Sequence, residues 1–224
     1  GADGEEIGKE FLMRKAIGYV SFVRGENPYT FPYRIWPKDF SKENTYDVIQ
    51  KPRTQLNGKP LAQNLEFLYI YLNKIGNYQQ KGYDYIIKKL HDGDFNVGSK
   101  EMPSFENMEA FGYTVLQKPL EALNIIYYDE RLEMEDPMFD ARDLVGKAGL
   151  NRIMSYTETT APMIRNNFEY KDPSKPRIFS PEELNKYSGK LSTICDSIMK
   201  STGIVLVYSQ YIDGGLVPLA LALE

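Results

Sequence analysis

Near the end of the chain, Tyr208-Ser209-Gln210-Tyr211 is followed by Asp213-Gly214-Gly215. Neighbouring hydroxyl and amide groups donate to phosphate oxygens, a contact that grips a nucleic-acid backbone without reading its sequence. Ser209 and Gln210 also suit a plainer task, capping a strand and the helix after it. Two glycines behind Asp213 let backbone N–H groups approach a phosphate; Asp-Gly-Gly is equally the composition of a turn. Lys190 precedes an amphipathic run, where it meets either a phosphate or solvent. Arg24 belongs to a basic stretch, with Arg14, Lys15 and Arg34, interleaved with Tyr19, Phe22, Tyr29, Phe31, Tyr33 and Trp36. Arginine on phosphates with rings on bases is how single strands are held. Rings at strand spacing also fill the core of a hairpin, with Arg24 paired to Glu26.

The chain shows no complete nucleotide-hydrolysing engine. A phosphate loop needs G-x-x-x-x-G-K-[ST]. No such string is present, and Gly146-Lys147-Ala148-Gly149 has its glycines and lysine in the wrong order. Residues 124–130 end an apolar run on Asp129-Glu130, which mimics a magnesium-holding Asp-Glu box with no phosphate loop to serve. The single histidine, His91, and the single cysteine, Cys195, are far apart in sequence. Neither a His-rich metal site nor an internal disulfide is expected, and the cysteine usage fits a reducing compartment. With 224 residues and a net charge of −4, the chain has room for one or two domains and carries no general field for polyanions. No apolar run approaches the length of a membrane-spanning helix, and the acidic N-terminus lacks a signal-peptide core. Neither membrane insertion nor secretion is expected.

Three parts position these groups. Residues 1–40 open acidic, then place Ile17, Tyr19, Ser21 and Val23 on one strand face with Val20 and Phe22 on the other. Pro28, Pro32 and Pro37 then hold the chain extended. Residues 41–176 are irregular and mostly helical. A helix is predicted over 61–78, from Leu61, Leu65, Leu68, Tyr69 and Leu72, and another over 83–95, ended by Gly93. Residues 111–132 suit either helix or strand, and 146–156 a short helix. Residues 177–224 read most clearly. Ser180, Pro181 and Glu183 make a capping box at a helix start. Leu191, Ile194, Cys195, Ile198 and Met199 then mark one helix face that stops at Gly203. The unbroken apolar run 204–208 predicts a parallel strand buried on both faces, and a further helix begins near Leu219. Helix, buried strand, loop, helix is the order of an α/β sheet. It sets Ser209, Gln210, Tyr211, Asp213, Gly214 and Gly215 at a strand's carboxyl end, where such sheets bind ligands. One such strand cannot cover its own edges, so the chain is expected to be cut from a longer α/β protein or completed by another chain.

The run SGKL at 188–191, the spaced helix, and GIVLVYSQY at 203–211 resemble the entry into the second RecA-like lobe of Swi/Snf-type superfamily II helicases. The fourth motif of those proteins is a buried strand ending aromatic-Ser-Gln-aromatic. The longer run YSQYIDGGLVPLALALE is similar to the helicase-like ATPases of large nucleocytoplasmic DNA viruses. So are RKAIGYVSFVRGENPYTFP, FGYTVLQKPLEALNIIY, LVGKAGLNRIMSY and NFEYK. Those ATPases are relatives of the poxvirus nucleoside triphosphate phosphohydrolase I and early transcription factor small subunit. The likeness covers most of the chain and is weakest over 46–105. It implies an α/β partial RecA-like lobe over 177–224. An inter-lobe insertion of mixed α+β character would precede it at 41–176, and the tail of a first lobe or a lobe-to-linker hairpin at 1–40. It implies that Ser209 and Gln210 touch a DNA or RNA backbone or organise the inter-lobe cleft, with Tyr211 beside them. ATP and Mg2+ would serve a longer protein, none being bound by this chain alone, and residues 124–130 would be an ordinary inter-lobe segment. Remaining helicase lobes and viral transcription machinery are the implied partners, and a virion or cytoplasmic viral factory the implied location. The alternative is a non-enzymatic docking or structural module for viral transcription or virion partners.

Overall fold

The computed structural model describes residues 35–45, 51–63, 70–93, 116–134, 139–157 and 167–224, with residues 10, 14, 65 and 104. Arg24 and the alternating segment 17–23 lie outside these. Helix α1 (Asn77–His91) forms because Tyr78, Gly82, Ile86 and Leu90 recur on one face, and all four are buried. It stops where Gly93 takes φ +83°, a left-handed conformation that costs glycine little. A side chain fastens its first turn. Gln79 is 1% exposed, accepts from the Gly76 N–H (3.3 Å) and the Gly189 N–H (3.2 Å), and donates to the Ala122 carbonyl (2.9 Å). One amide thereby joins the starts of two helices to the end of a third.

That third helix, α2, is described over 116–122, and residues 125–129 then run through the core in neither helix nor strand. The stretch that periodicity leaves open between helix and strand is thus helix over 116–122, followed by buried chain that belongs to no strand. Ile125, Ile126 and Tyr127 have no exposed surface. Their backbone is satisfied by loops: Ile126 N–H donates to Tyr187 C=O (3.0 Å) and Tyr127 N–H to Leu144 C=O (2.9 Å). Glycines permit close approach from both sides. A Cβ on Gly82 would lie 2.6 Å from Ile126 Cγ2, and one on Gly149 2.4 Å from Tyr127 Cδ2.

Helix α3 (Gly146–Ile153), close to its expected span, leads straight into an antiparallel hairpin of β1 (Met154–Thr157) and β2 (Asn167–Tyr170). Met154 pairs with Tyr170 and Tyr156 with Phe168, the latter rings 4.7 Å apart. Helix α4 (Gly189–Met199) is capped by Ser188, whose Oγ accepts from the Leu191 N–H at 3.0 Å. It buries Leu191 and Cys195 and packs Ile194 and Ile198 on the core. Helix α5 (Val217–Leu223) carries Pro218 in its first turn, buries Leu219 and rests on α4. The chain is thus a mixed α and β structure.

Four expectations are corrected. First, of the predicted helix over 61–78, residues 61–63, 65 and 70–76 are not helical, and helix begins only at Asn77. Leu72 is instead clamped by Asn44, its N–H donating to Asn44 C=O (3.0 Å) and its C=O accepting from Asn44 Nδ2 (2.6 Å). That tertiary clamp overrides the helical spacing. Second, the capping box at Ser180 does not form. The N–H groups of Glu183 and Leu184 bond to the Ser180 carbonyl, leading only to the single turn Leu184–Tyr187. Ile178 and Phe179 are buried at this point, which draws the chain inward before a helix can start. Third, α4 ends at Met199 and is capped by Lys200 rather than by Gly203, and Met199, placed on the apolar face by spacing, is 72% exposed. Fourth, residues 204–208 belong to no strand, and Leu206 and Tyr208 are 84% and 88% exposed. The sheet among the described residues is the β1–β2 hairpin, antiparallel rather than parallel, so no edge stands beside 204–208 to bury them.

Candidate functional site

The loop that follows the exposed segment is built on a short local bond. Ser209 Oγ accepts from the Tyr211 N–H at 3.1 Å, turning the chain into a single π turn, Ile212–Leu216, that runs on into α5. A π turn of this kind is an uncommon device often found beside functional groups. Gly215 is pressed against the same serine, since a Cβ there would lie 2.5 Å from Ser209 Oγ. Ser209, Tyr211 and Gly215 are therefore brought together in one local turn, not at the end of a buried strand, with Gln210 exposed between Ser209 and Tyr211. The serine hydroxyl is engaged by its own chain in this local turn, and it caps neither a strand nor the helix that follows.

Asp213 and Gly214 face inward. The Asp213 carbonyl accepts from the Tyr127 hydroxyl, and Gly214 and Gly215 are buried. A Cβ on Gly214 would lie 3.5 Å from Glu121 Cγ. Glu121 is itself buried and accepts from Gln117 Nε2 (3.1 Å) and Lys118 Nζ (3.0 Å). A carboxylate side chain packed on this loop opposes a phosphate bound there. Lys190 is bonded elsewhere. It is half-buried on the first turn of α4, and its Nζ donates to Asn124 Oδ1 at 2.7 Å. Burial holds its ammonium below the usual lysine range.

A second constellation forms around Asp129, which caps the single turn Glu130–Glu133 by accepting from the Arg131 N–H. Its side chain is 1% exposed and paired with two guanidinium groups, Arg131 Nη2 at 2.7 Å and Arg152 Nε at 2.9 Å. Asp143 completes the network, 2.7 Å from Arg131 Nη2 and 3.3 Å from Arg152 Nη1. Burial alone would raise the Asp129 pKa. The hydrogen bonds and charges of Arg131, with the charge of Arg152, outweigh it and hold the carboxyl below the usual value. A depressed pKa in the folded state stabilises the protein above the unfolded value of about 3.9. That contribution is lost as pH falls through the folded pKa. Urea midpoints are therefore expected to drop on acidification below about pH 4, and Asp129→Asn to flatten that slope. An unchanged slope would show that the network does not hold the folded state.

Beside this network lies a cleft of about 180 Å3, with Tyr128, Arg152, Ile153, Tyr170, Lys175 and Pro176 among its walls. No protein-family model, no curated protein and no solved structure matches this chain. What it does must be argued from its own groups. The sequence marked Asp129 and Glu130, as a look-alike of a magnesium box. The structure engages the first with arginines and the second with Lys175. It gave no sign of Arg152, Tyr170 or Lys175, which approach from three different segments. Among the described residues no group of three or more His, Cys, Asp or Glu side chains could hold a metal ion, and no helix is long and apolar enough to cross a membrane.

Proposed function

We propose that this chain is a segment of a nucleic-acid-dependent ATPase of the Swi/Snf type, spanning the inter-lobe region and the opening of the second RecA-like lobe. One observation supports the reading best: residues 204–208 are apolar, lie in no helix or strand and, Val207 apart, are exposed, shortly after an amphipathic helix. Fully burying a side chain such as leucine gains about 1.5–3 kcal/mol. An uncharged run of five is therefore a strand made for neighbours that the described residues do not supply. The ATP, Mg2+ and hydrolytic residues belong, on this reading, to the remaining lobes. Ser209, Gln210 and Tyr211 at the end of the strand then border the nucleic-acid path.

The test is ATP hydrolysis with and without single-stranded and duplex DNA, on this chain and on a protein extended through both lobes. Turnover by the longer protein alone, stimulated by DNA, is the expected result. Hydrolysis by this chain alone would overturn it, and inactivity of both would favour a docking module. Leu206→Lys sharpens the test. In this chain it should change stability by less than about 0.5 kcal/mol, as for other exposed sites. In the longer protein it buries a charge, and the DNA-stimulated rate should collapse.

A further inference from the structure

We propose that residues 204–208 are a self-pairing edge, through which two copies of this chain associate antiparallel about a two-fold axis at Leu206. The inference rests on the exposed run itself and not on the motor reading.

Exposure along the run alternates. Ile204, Leu206 and Tyr208 are 72%, 84% and 88% exposed, whereas Val205 falls to 44% and Val207 packs on the core. That is the period of a strand with one face on the molecule and the other turned out. The main chain is equally unused, since no backbone–backbone hydrogen bond joins 204–208 to another described residue. Unpaired backbone beside apolar side chains is a template for an added strand. Proteins that keep such an edge alone place lysine or proline in it, and this run has neither.

The composition selects the partner. No charged residue occurs between Lys200 and Asp213, so two identical runs meet without like charges opposed. The two bracketing charges are of opposite sign. Antiparallel pairing sets the lysine end of one copy by the aspartate end of the other, where parallel pairing would set like beside like. Centred on Leu206, the run is its own complement. Ile204 of one copy faces Tyr208 of the other, Val205 faces Val207, and Leu206 faces its own counterpart. β-Branched against aromatic is a favourable cross-strand pair. A contact that uses the same patch on both copies closes at two. Met199 and Ile212 flank the run and are also exposed. With Ile204, Val205, Leu206 and Tyr208 they offer roughly 100 Å2 each, on the order of 600 Å2 per copy against the roughly 800 Å2 of a standard interface. The dimer is therefore modest, with a Kd on the order of 10 μM.

The experiment is sedimentation equilibrium of the 224-residue chain over concentrations spanning that Kd. Expected is a reversible monomer–dimer equilibrium. Leu206→Lys should weaken it more than about 100-fold with circular dichroism unchanged, because it removes a leucine from both copies and sets two ammonium groups face to face. Cysteine cross-linking with diamide tests the register. Leu206→Cys should give a disulfide-linked dimer, since residues directly opposite in an antiparallel pair have Cα atoms about 4.5–5.5 Å apart, within disulfide reach. Tyr208→Cys should not, because its counterpart lies four residues along the ladder, about 13 Å away. The unaltered chain, whose Cys195 is buried, is the blank. A monomer at every concentration overturns the proposal. So does a dimer that Leu206→Lys leaves intact, open-ended assembly, or equal cross-linking of the two cysteine variants. No ATP turnover is read, so failure here and failure of the motor reading are separately visible.

Discussion

Gln79→Leu is expected to destabilise the fold by about 3–9 kcal/mol, because three buried backbone groups lose their partner at roughly 1–3 kcal/mol each. The N–H groups of Gly76 and Gly189 and the carbonyl of Ala122 all depend on this one amide. Leucine matches the glutamine in bulk, so the loss reads hydrogen bonding and not a cavity. Whole domains hold only about 5–15 kcal/mol in reserve, so much of the molecule's stability should go with it. Chemical denaturation followed by circular dichroism measures the effect. Gln80→Leu is the control, since Gln80 is exposed and bonds only to Asp84 on the same helix. Equal midpoints for the two variants would show that Gln79 is not the junction described.

A single methyl group should do comparable harm at Gly189. Its Cβ would lie 2.0 Å from the Lys74 carbonyl oxygen, and backbone cannot swing aside as a side chain does. Helix α4 would have to lift from residues 74–76 and take its Ser188 cap with it. Gly189→Ala is therefore expected to cost about 3 kcal/mol, the upper end of overpacking penalties. Gly203→Ala meets no atom within 4 Å, and its effect should stay within about 0.5 kcal/mol. Matched urea titrations decide the point, and a Gly189 variant as stable as the Gly203 variant refutes the close docking.

What the sequence made legible was local. The helix predicted over 83–95 and its stop near Gly93 depend on local sequence and survive folding, although the helix begins six residues earlier, at Asn77. So does the face of α4 carrying Leu191 and Cys195. The misreadings come where a distant residue decides. Asn44 holds Leu72 out of a helix against its helical spacing, and burial of Ile178 and Phe179 displaces the helix that Ser180 should have capped. The run 204–208 has the composition of a buried strand, but composition cannot supply the neighbouring strand. The candidate groups show the same division. Ser209 and Gly215 meet because they are six residues apart around one turn. Arg152, Tyr170 and Lys175 meet Asp129 only through the tertiary fold, and no spacing in the chain announces it.

The Gln79 junction also sets the tempo at which this molecule can form. Its partners are 43 and 110 residues away along the chain, so the loops to be closed are long and the contacts non-local. Such topologies fold slowly, because chain entropy is lost before those contacts reward it. At roughly 5–20 residues per second of synthesis, Gly189 leaves the ribosome on the order of 5–20 s after Gln79. For all of that interval α1 exists without the helix start that completes it. Its buried face must wait exposed in the nascent chain, which makes the stretch around Gln79 a place for a chaperone to hold before the junction closes.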